Sequence, residues 1–138
     1  MNKFSQRSRN NLKGIHPELV RLMEEAIKES PVDFTITNGV RTVEEQQALY
    51  AQGRTKPGHI VTNCDGIRKK SNHQLKADGY GYAVDLYPYV NGRVQVNNVE
   101  GLKRIASHIK ETALTLGIKI EWGGDWKMKD YPHFELRK

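Results

Sequence analysis

Apolar residues recur at helical spacing in two long stretches of the chain and alternate with polar ones in several shorter runs. That mixture predicts helices packed on a sheet. Leu19, Val20, Met23, Ala26 and Ile27 form the first helical stripe, with Pro17 suited to its first turn and Ser30-Pro31 ending it. DFTITN (33–38) alternates, with Phe34 and Ile36 on one side, and predicts a strand. Thr42 can cap the next helix, VEEQQALYAQ, which stops at Gly53; its Gln46 and Gln47 read as helix surface. AVDLYPYV (83–90) predicts a strand, and Asn91-Gly92 a hairpin turn into RVQV. The clearest helix is 99–116, with Leu102, Ile105, Ala106, Ile109, Ala113 and Leu116 inward and Gly117 as its stop. IKIEW and HFEL read as two closing strands. Residues 1–11 read as a polar lead-in to a single α+β domain spanning 1–138, an antiparallel sheet with packed helices.

At 138 residues the chain has the length of one domain and can bury one core. Its mean hydropathy of −0.71 and the lack of any long apolar run predict no stable membrane insertion. The N-terminal stretch is basic but polar, so no secretory signal is expected. Twenty-two Lys and Arg against 16 Asp and Glu leave +6, which favours an anionic partner without choosing among them. Cys64 is the only cysteine, which excludes an internal disulfide and cysteine-rich zinc folds.

The candidate chemistry lies where polar residues interrupt apolar strand patterns. Asp85 sits between Val84 and Leu86, and His133 lies in the last strand with Asp130 three residues earlier. A carboxylate or imidazole on a core strand costs free energy unless something pairs with it, and a divalent metal pairs with several at once. The long polar connection at 54–80 adds His59, Cys64 and His73 as further ligand candidates. Each residue taken singly also fits an ordinary exposed or hydrogen-bonded side chain. A loop of that length inside a small domain is more often functional than idle.

Ser71, His73, Gly81, Ala83 and Asp85, followed by Asp130 and His133, resemble the Ser-x-His-x-x-Gly-x-Ala-x-Asp and acid-x-x-His signatures of zinc peptidases of the cell wall. That family includes phage L-alanyl-D-glutamate endopeptidases and VanY-type D,D-carboxypeptidases. NGVRTVEEQQALYAQGRT and WGGDW (122–126) are similar too, so the resemblance covers roughly residues 12–136. His73 and Asp85 stand twelve apart where the family has seven, which reads as a five-residue insertion within QLKADGY.

The resemblance implies a Hedgehog/DD-peptidase-like fold with zinc on His73, Asp85 and His133. It makes Asp130 the general base and then acid, and Arg41 a catalytic and substrate-facing cation. Glu135, which shares a strand face with His133, is the rival base, or orients a ligand from behind. Ser71 either contacts substrate or fixes the His73 loop. Trp126 lines the substrate site, and Trp122, Tyr80, Tyr82 and Tyr87 either wall the groove or belong to the core. Cys64 is expected to play no catalytic part. The implied substrate is the peptidoglycan stem peptide, cut between L-alanine and D-glutamate by a monomeric phage or prophage endolysin. Such an enzyme would wait in the host cytoplasm until a separate pore releases it. Rival readings are a D,D-carboxypeptidase, a non-catalytic zinc-binding module of the same fold, and a nucleic-acid binder. The last is disfavoured because the cations form no basic helix or stacking platform.

Overall fold

Strand β2 (Ala83–Val90) is the middle of a five-stranded antiparallel sheet in the computed structural model, which describes residues 2–137. Strand β1 (Phe34–Asn38) pairs on one side of it, and β5 (His133–Leu136) on the other, flanked by β4 (Ile120–Trp122). The short β3 (Arg93–Val94) folds back on the end of β2 through Asn91 and Gly92, whose φ values of 52° and 75° are those of a tight hairpin turn. The pairing expected to run through RVQV is shorter: β3 ends at Val94, Gln95 N–H adds one bond to the Pro88 carbonyl (2.9 Å), and Asn98 then caps the following helix through Gly101 N–H.

Four helices complete the fold: α1 (Gln6–Asn11), α2 (Pro17–Lys28), α3 (Val43–Ala51) and α4 (Val99–Leu116). The predicted stripes on α2 and α4 are buried except for Val20 and Leu116, which are half-buried, and Leu22 joins them. Leu19, Leu22, Met23, Leu102, Ile105 and Ile109 pack against Phe34, Ile36, Val84, Leu86 and Phe134. Alternation along β2 and β5 then dictates the rest. With Val84, Leu86 and Phe134 facing the helices, Asp85, His133 and Glu135 must face the other way. Asp85 lies directly opposite His133 in the β2–β5 register, and opposite Asn38 at an irregularity in β1. Gly117 ends α4 in the left-handed conformation, as its position predicts.

The polar lead-in turns out to be structured. Residues 6–11 form α1, and Ser8 is fully buried. β1 is an edge strand, and the backbone N–H and carbonyl of the buried Ile36 point away from β2 and need partners. Ser8 Oγ accepts from Ile36 N (3.0 Å) and Asn11 Nδ2 donates to Ile36 O (2.9 Å), so α1 closes the edge with side chains. The reading of 1–11 as mere lead-in missed this because the helix docks by hydrogen bonds and carries no apolar stripe. Met1 lies outside the described residues. Ser8→Ala is expected to strand the buried Ile36 N–H and lower unfolding stability by about 2 kcal/mol, measured by urea denaturation.

Candidate active site

The face of β2 and β5 turned away from the main core is roofed by two loops. The first follows β1. Gly39 passes so close to α1 that a Cβ there would lie 1.8 Å from the Asn11 carbonyl oxygen. Beyond it, Arg41 N–H donates to the His73 carbonyl (2.8 Å). The second loop, 71–74, is knotted locally. Ser71 Oγ accepts from His73 N, and Gln74 Oε1 from Ser71 N. His73 and Gln74 are thereby buried.

His73, Asp85 and His133 converge beneath this roof. His73 Nδ1 lies 3.1 Å from the Gly39 carbonyl, which can only accept, so Nδ1 carries the proton. His133 Nε2 lies 2.7 Å from Glu135 Oε1, so its proton sits there. The two remaining nitrogens, His73 Nε2 and His133 Nδ1, therefore turn lone pairs toward each other at 3.1 Å. Asp85 Oδ1 stands 3.4 and 3.6 Å from them, buried and without a hydrogen-bond partner among the described residues. Three donors facing one point in this way call for a cation. Their separations match the edge of about 3.4 Å expected for a tetrahedron with metal bonds of about 2.1 Å. The group can hold a metal, and among the described residues it is the only set of three His, Cys, Asp or Glu that can. His59 and Cys64, the rival ligands, stand outside it, at exposed and half-buried positions.

The electrostatics agree. Burial opposes a charge on Asp85, yet the two imidazoles beside it outweigh burial and hold its carboxyl well below the usual carboxylate range. Burial likewise opposes a proton on His133, but Asp85 and Glu135 together raise it to about 9. A positive charge is thus favoured at this point even when a proton must supply it.

Around the cluster, Glu135 is buried and uses both oxygens. Oε1 holds His133, while Oε2 accepts from Asn72 Nδ2 (3.0 Å) and Arg137 (3.2 Å). That places it behind the ligand, with no oxygen left for substrate. Asp130 Oδ2 lies 3.9 Å from His133 Nδ1 on a half-exposed side chain. Burial first, then the charge of Asp85, pushes its carboxyl above the ordinary value. The Gly123 carbonyl sets this loop, accepting from Asp130 N (2.9 Å) and Trp126 N (3.2 Å); a Cβ on Gly123 would sit 2.2 Å from the Asp130 carbonyl oxygen. Trp126 packs its ring 4.9 Å from that of His133, half-buried at the edge of the site. Trp122 belongs to the core, stacked on Phe134.

Arg41 extends NH2 to within 3.9 Å of Asp85 Oδ2, and NH1 donates to Gln46 Oε1 (2.7 Å). Gln46 corrects the reading of that residue as helix surface: it is fully buried. Its Nε2 donates to the Cys64 carbonyl (2.8 Å) and Thr62 Oγ1 (3.3 Å), joining Arg41 to the long connection after α3. A glutamine on a helix carries no local sign of such a role; the hint lies in α3 having no apolar stripe, so that its one inward side chain is polar. Gln47 is exposed, as expected. Ser71 spends its hydroxyl on the His73 N–H, which favours the loop-fixing of its two readings.

The extra residues between His73 and Asp85 are looped out. Lys76 N donates to the Tyr80 carbonyl (2.8 Å), so the two ends of an exposed turn meet. Without 76–80 the chain would read His73-Gln74-Leu75-Gly81-Tyr82-Ala83-Val84-Asp85, seven positions from His to Asp.

A family model described as phage L-alanyl-D-glutamate peptidase matches residues 1–138. The L-alanyl-D-glutamate peptidase of Escherichia phage T5 is 31% identical over 136 residues, covering 99% of this chain and 90% of that protein. The peptidoglycan L-alanyl-D-glutamate endopeptidase CwlK of Bacillus subtilis (strain 168) is 37% identical over 132 residues, covering 88% and 73%. The crystal structure of the Serratia marcescens L-Ala D-Glu endopeptidase ChiX superposes with a TM-score of 0.74 at 30% identity, covering 99% of this chain and 91% of that one.

Two outcomes are expected from this geometry. Glu135→Gln removes the charge behind His133 and should weaken metal binding about 10- to 100-fold in a chelator-competition titration. Deleting residues 76–80 should leave metal affinity within about threefold of the parent, since the turn closes on itself; a larger loss would show that the turn shapes the ligand set.

Proposed function

The chain belongs to the phage L-alanyl-D-glutamate peptidase family, and from that premise we propose that it hydrolyses the L-alanyl-D-glutamate bond of peptidoglycan stem peptides with zinc held by His73, Asp85 and His133. The observation that carries the metal assignment is the pair of facing imidazole lone pairs beside the unpartnered Asp85 oxygen. Zinc at these donors supplies Lewis-acid activation of a water and of the scissile carbonyl.

The protein's own residues do the rest. Asp130, on the open side of His133 Nδ1, takes the proton of the attacking water and passes it to the leaving amine. Its raised affinity for a proton suits a group that must both accept and donate one. Arg41, clamped by Gln46, presents guanidinium hydrogens beside Asp85 to the developing oxyanion or to a stem-peptide carboxylate. Glu135 holds His133 in the tautomer that leaves Nδ1 free. Trp126 walls the substrate side, and Ser71 keeps the His73 loop in place. No helix among the described residues is long and apolar enough to cross a membrane. The relationship to a phage peptidase supports an endolysin role, with the enzyme held in the host cytoplasm until lysis.

Mass spectrometry of digested peptidoglycan tests the assignment. Zinc-loaded protein should expose N-terminal D-glutamate, and release of free D-alanine would instead reveal a carboxypeptidase. Asp130→Asn should keep its zinc and lose about a thousandfold in rate. Full activity after rigorous chelation would remove the metal from the mechanism.

A further inference from the structure

Most of the net charge of this protein falls within one segment of the chain. Residues 54–76, in the connection between α3 and β2, carry six Lys or Arg and one Asp, while the rest of the chain has sixteen cations against fifteen acids. Nearly the whole net charge thus sits on one segment. The segment also exposes large aliphatic side chains: Ile60 is 51%, Val61 52%, Ile67 64% and Leu75 47% accessible.

Its inner side is bolted to the site. Gln46 holds Thr62 and Cys64, and Gln74 Nε2 donates to the Gly66 carbonyl (3.0 Å). Arg54 is used internally, bonded to the Tyr50 and Thr62 carbonyls and to Asn63, and Lys76 lies over the Tyr82 ring. The lone acid, Asp65, accepts from the backbone N–H groups of Ile67, Arg68 and Lys69 (3.0, 2.8 and 3.0 Å). It therefore folds a tight turn instead of cancelling a neighbouring charge through a direct ion pair. That turn projects Ile67, Arg68, Lys69 and Lys70 outward, all exposed, with Lys56, Ile60 and Val61 on the same connection.

We infer that segment 54–76 is a peripheral docking surface for a lipid bilayer bearing anionic phosphate headgroups. Cations alone would suit any polyanion. Branched aliphatics exposed among those cations match a surface whose charged layer covers an apolar one, as at a headgroup boundary. Each unpaired Lys or Arg close to such a surface contributes attraction, and shallow burial of the aliphatics adds a component that salt does not screen. The inference is independent of the peptidase assignment, since vesicle binding needs neither metal nor Asp130.

The test is co-sedimentation of the full chain with vesicles of one part phosphatidylglycerol to three parts phosphatidylethanolamine, against pure phosphatidylcholine. The expected result is binding to the anionic vesicles only, weakened by salt. The triple variant Arg68→Gln/Lys69→Gln/Lys70→Gln should lose about a hundredfold in affinity, at roughly fivefold per cation. Ile60→Ser/Val61→Ser/Ile67→Ser should lose at least tenfold at low salt, and both triples should keep the parental circular-dichroism spectrum and melting temperature, which verifies their fold without recourse to activity. Failure of the parent to bind anionic vesicles overturns the inference. So does an aliphatic triple that binds like the parent, an outcome that with retained binding to soluble polyphosphate would assign the segment to polyanions instead.

Discussion

Two imidazole nitrogens, each left bare because its ring's proton is engaged on the far side, are held 3.1 Å apart beside a buried carboxylate oxygen. With neither nitrogen protonated these atoms repel, and the surrounding fold holds them where a proton or a metal cation between them relieves that repulsion. The β2–β5 register sets Asp85 opposite His133, Glu135 pins one ring and the Gly39 carbonyl the other. Close packing of α1 against Gly39 makes that carbonyl a fixed point. Stability spent on bringing like groups together is recovered when a cation sits among them, which is how metal affinity is built into a fold.

The same strand pair separates core from chemistry. Val84, Leu86 and Phe134 face the helices, while Asp85, His133 and Glu135 face the loops. A slip of one residue in either strand would exchange the two faces, so the apolar core also guards the ligand geometry. The loops then add what a sheet cannot: Arg41 from the turn after β1, His73 from a self-bonded turn, and Asp130 from a segment that Gly123 shapes by close approach. Gln46 ties Arg41 to the long connection, so the cationic segment and the site are joined through one buried side chain.

The family relationship and the geometry support each other at different levels. Relatives from a phage and from Bacillus subtilis match most of the chain in sequence, and the crystal structure of ChiX matches it in fold. Their names identify the bond that relatives cut. The arrangement of donors in this chain is one that can hold a metal, with the Asp130 carboxylate beside it. The looped-out turn at 76–80 shows how a departure in spacing leaves His73 and Asp85 side by side, since its ends meet.

Periodicity alone placed α2, α4, β1, β2 and β5, because burial of a stripe or an alternating face is a local property of the sequence. The ligands stood out for a related reason: Asp85 and His133 break apolar strands at a cost that demands a partner. Resemblance, not spacing, singled out His73 from its rivals. Tertiary structure decided what depends on contacts between distant segments. It turned the lead-in into an edge-closing helix through Ser8 and Asn11, and buried Gln46 against the Cys64 carbonyl. Polar side chains that work by long-range hydrogen bonds leave no period in a sequence, because their partners lie tens of residues away and only the folded chain brings them within 3 Å.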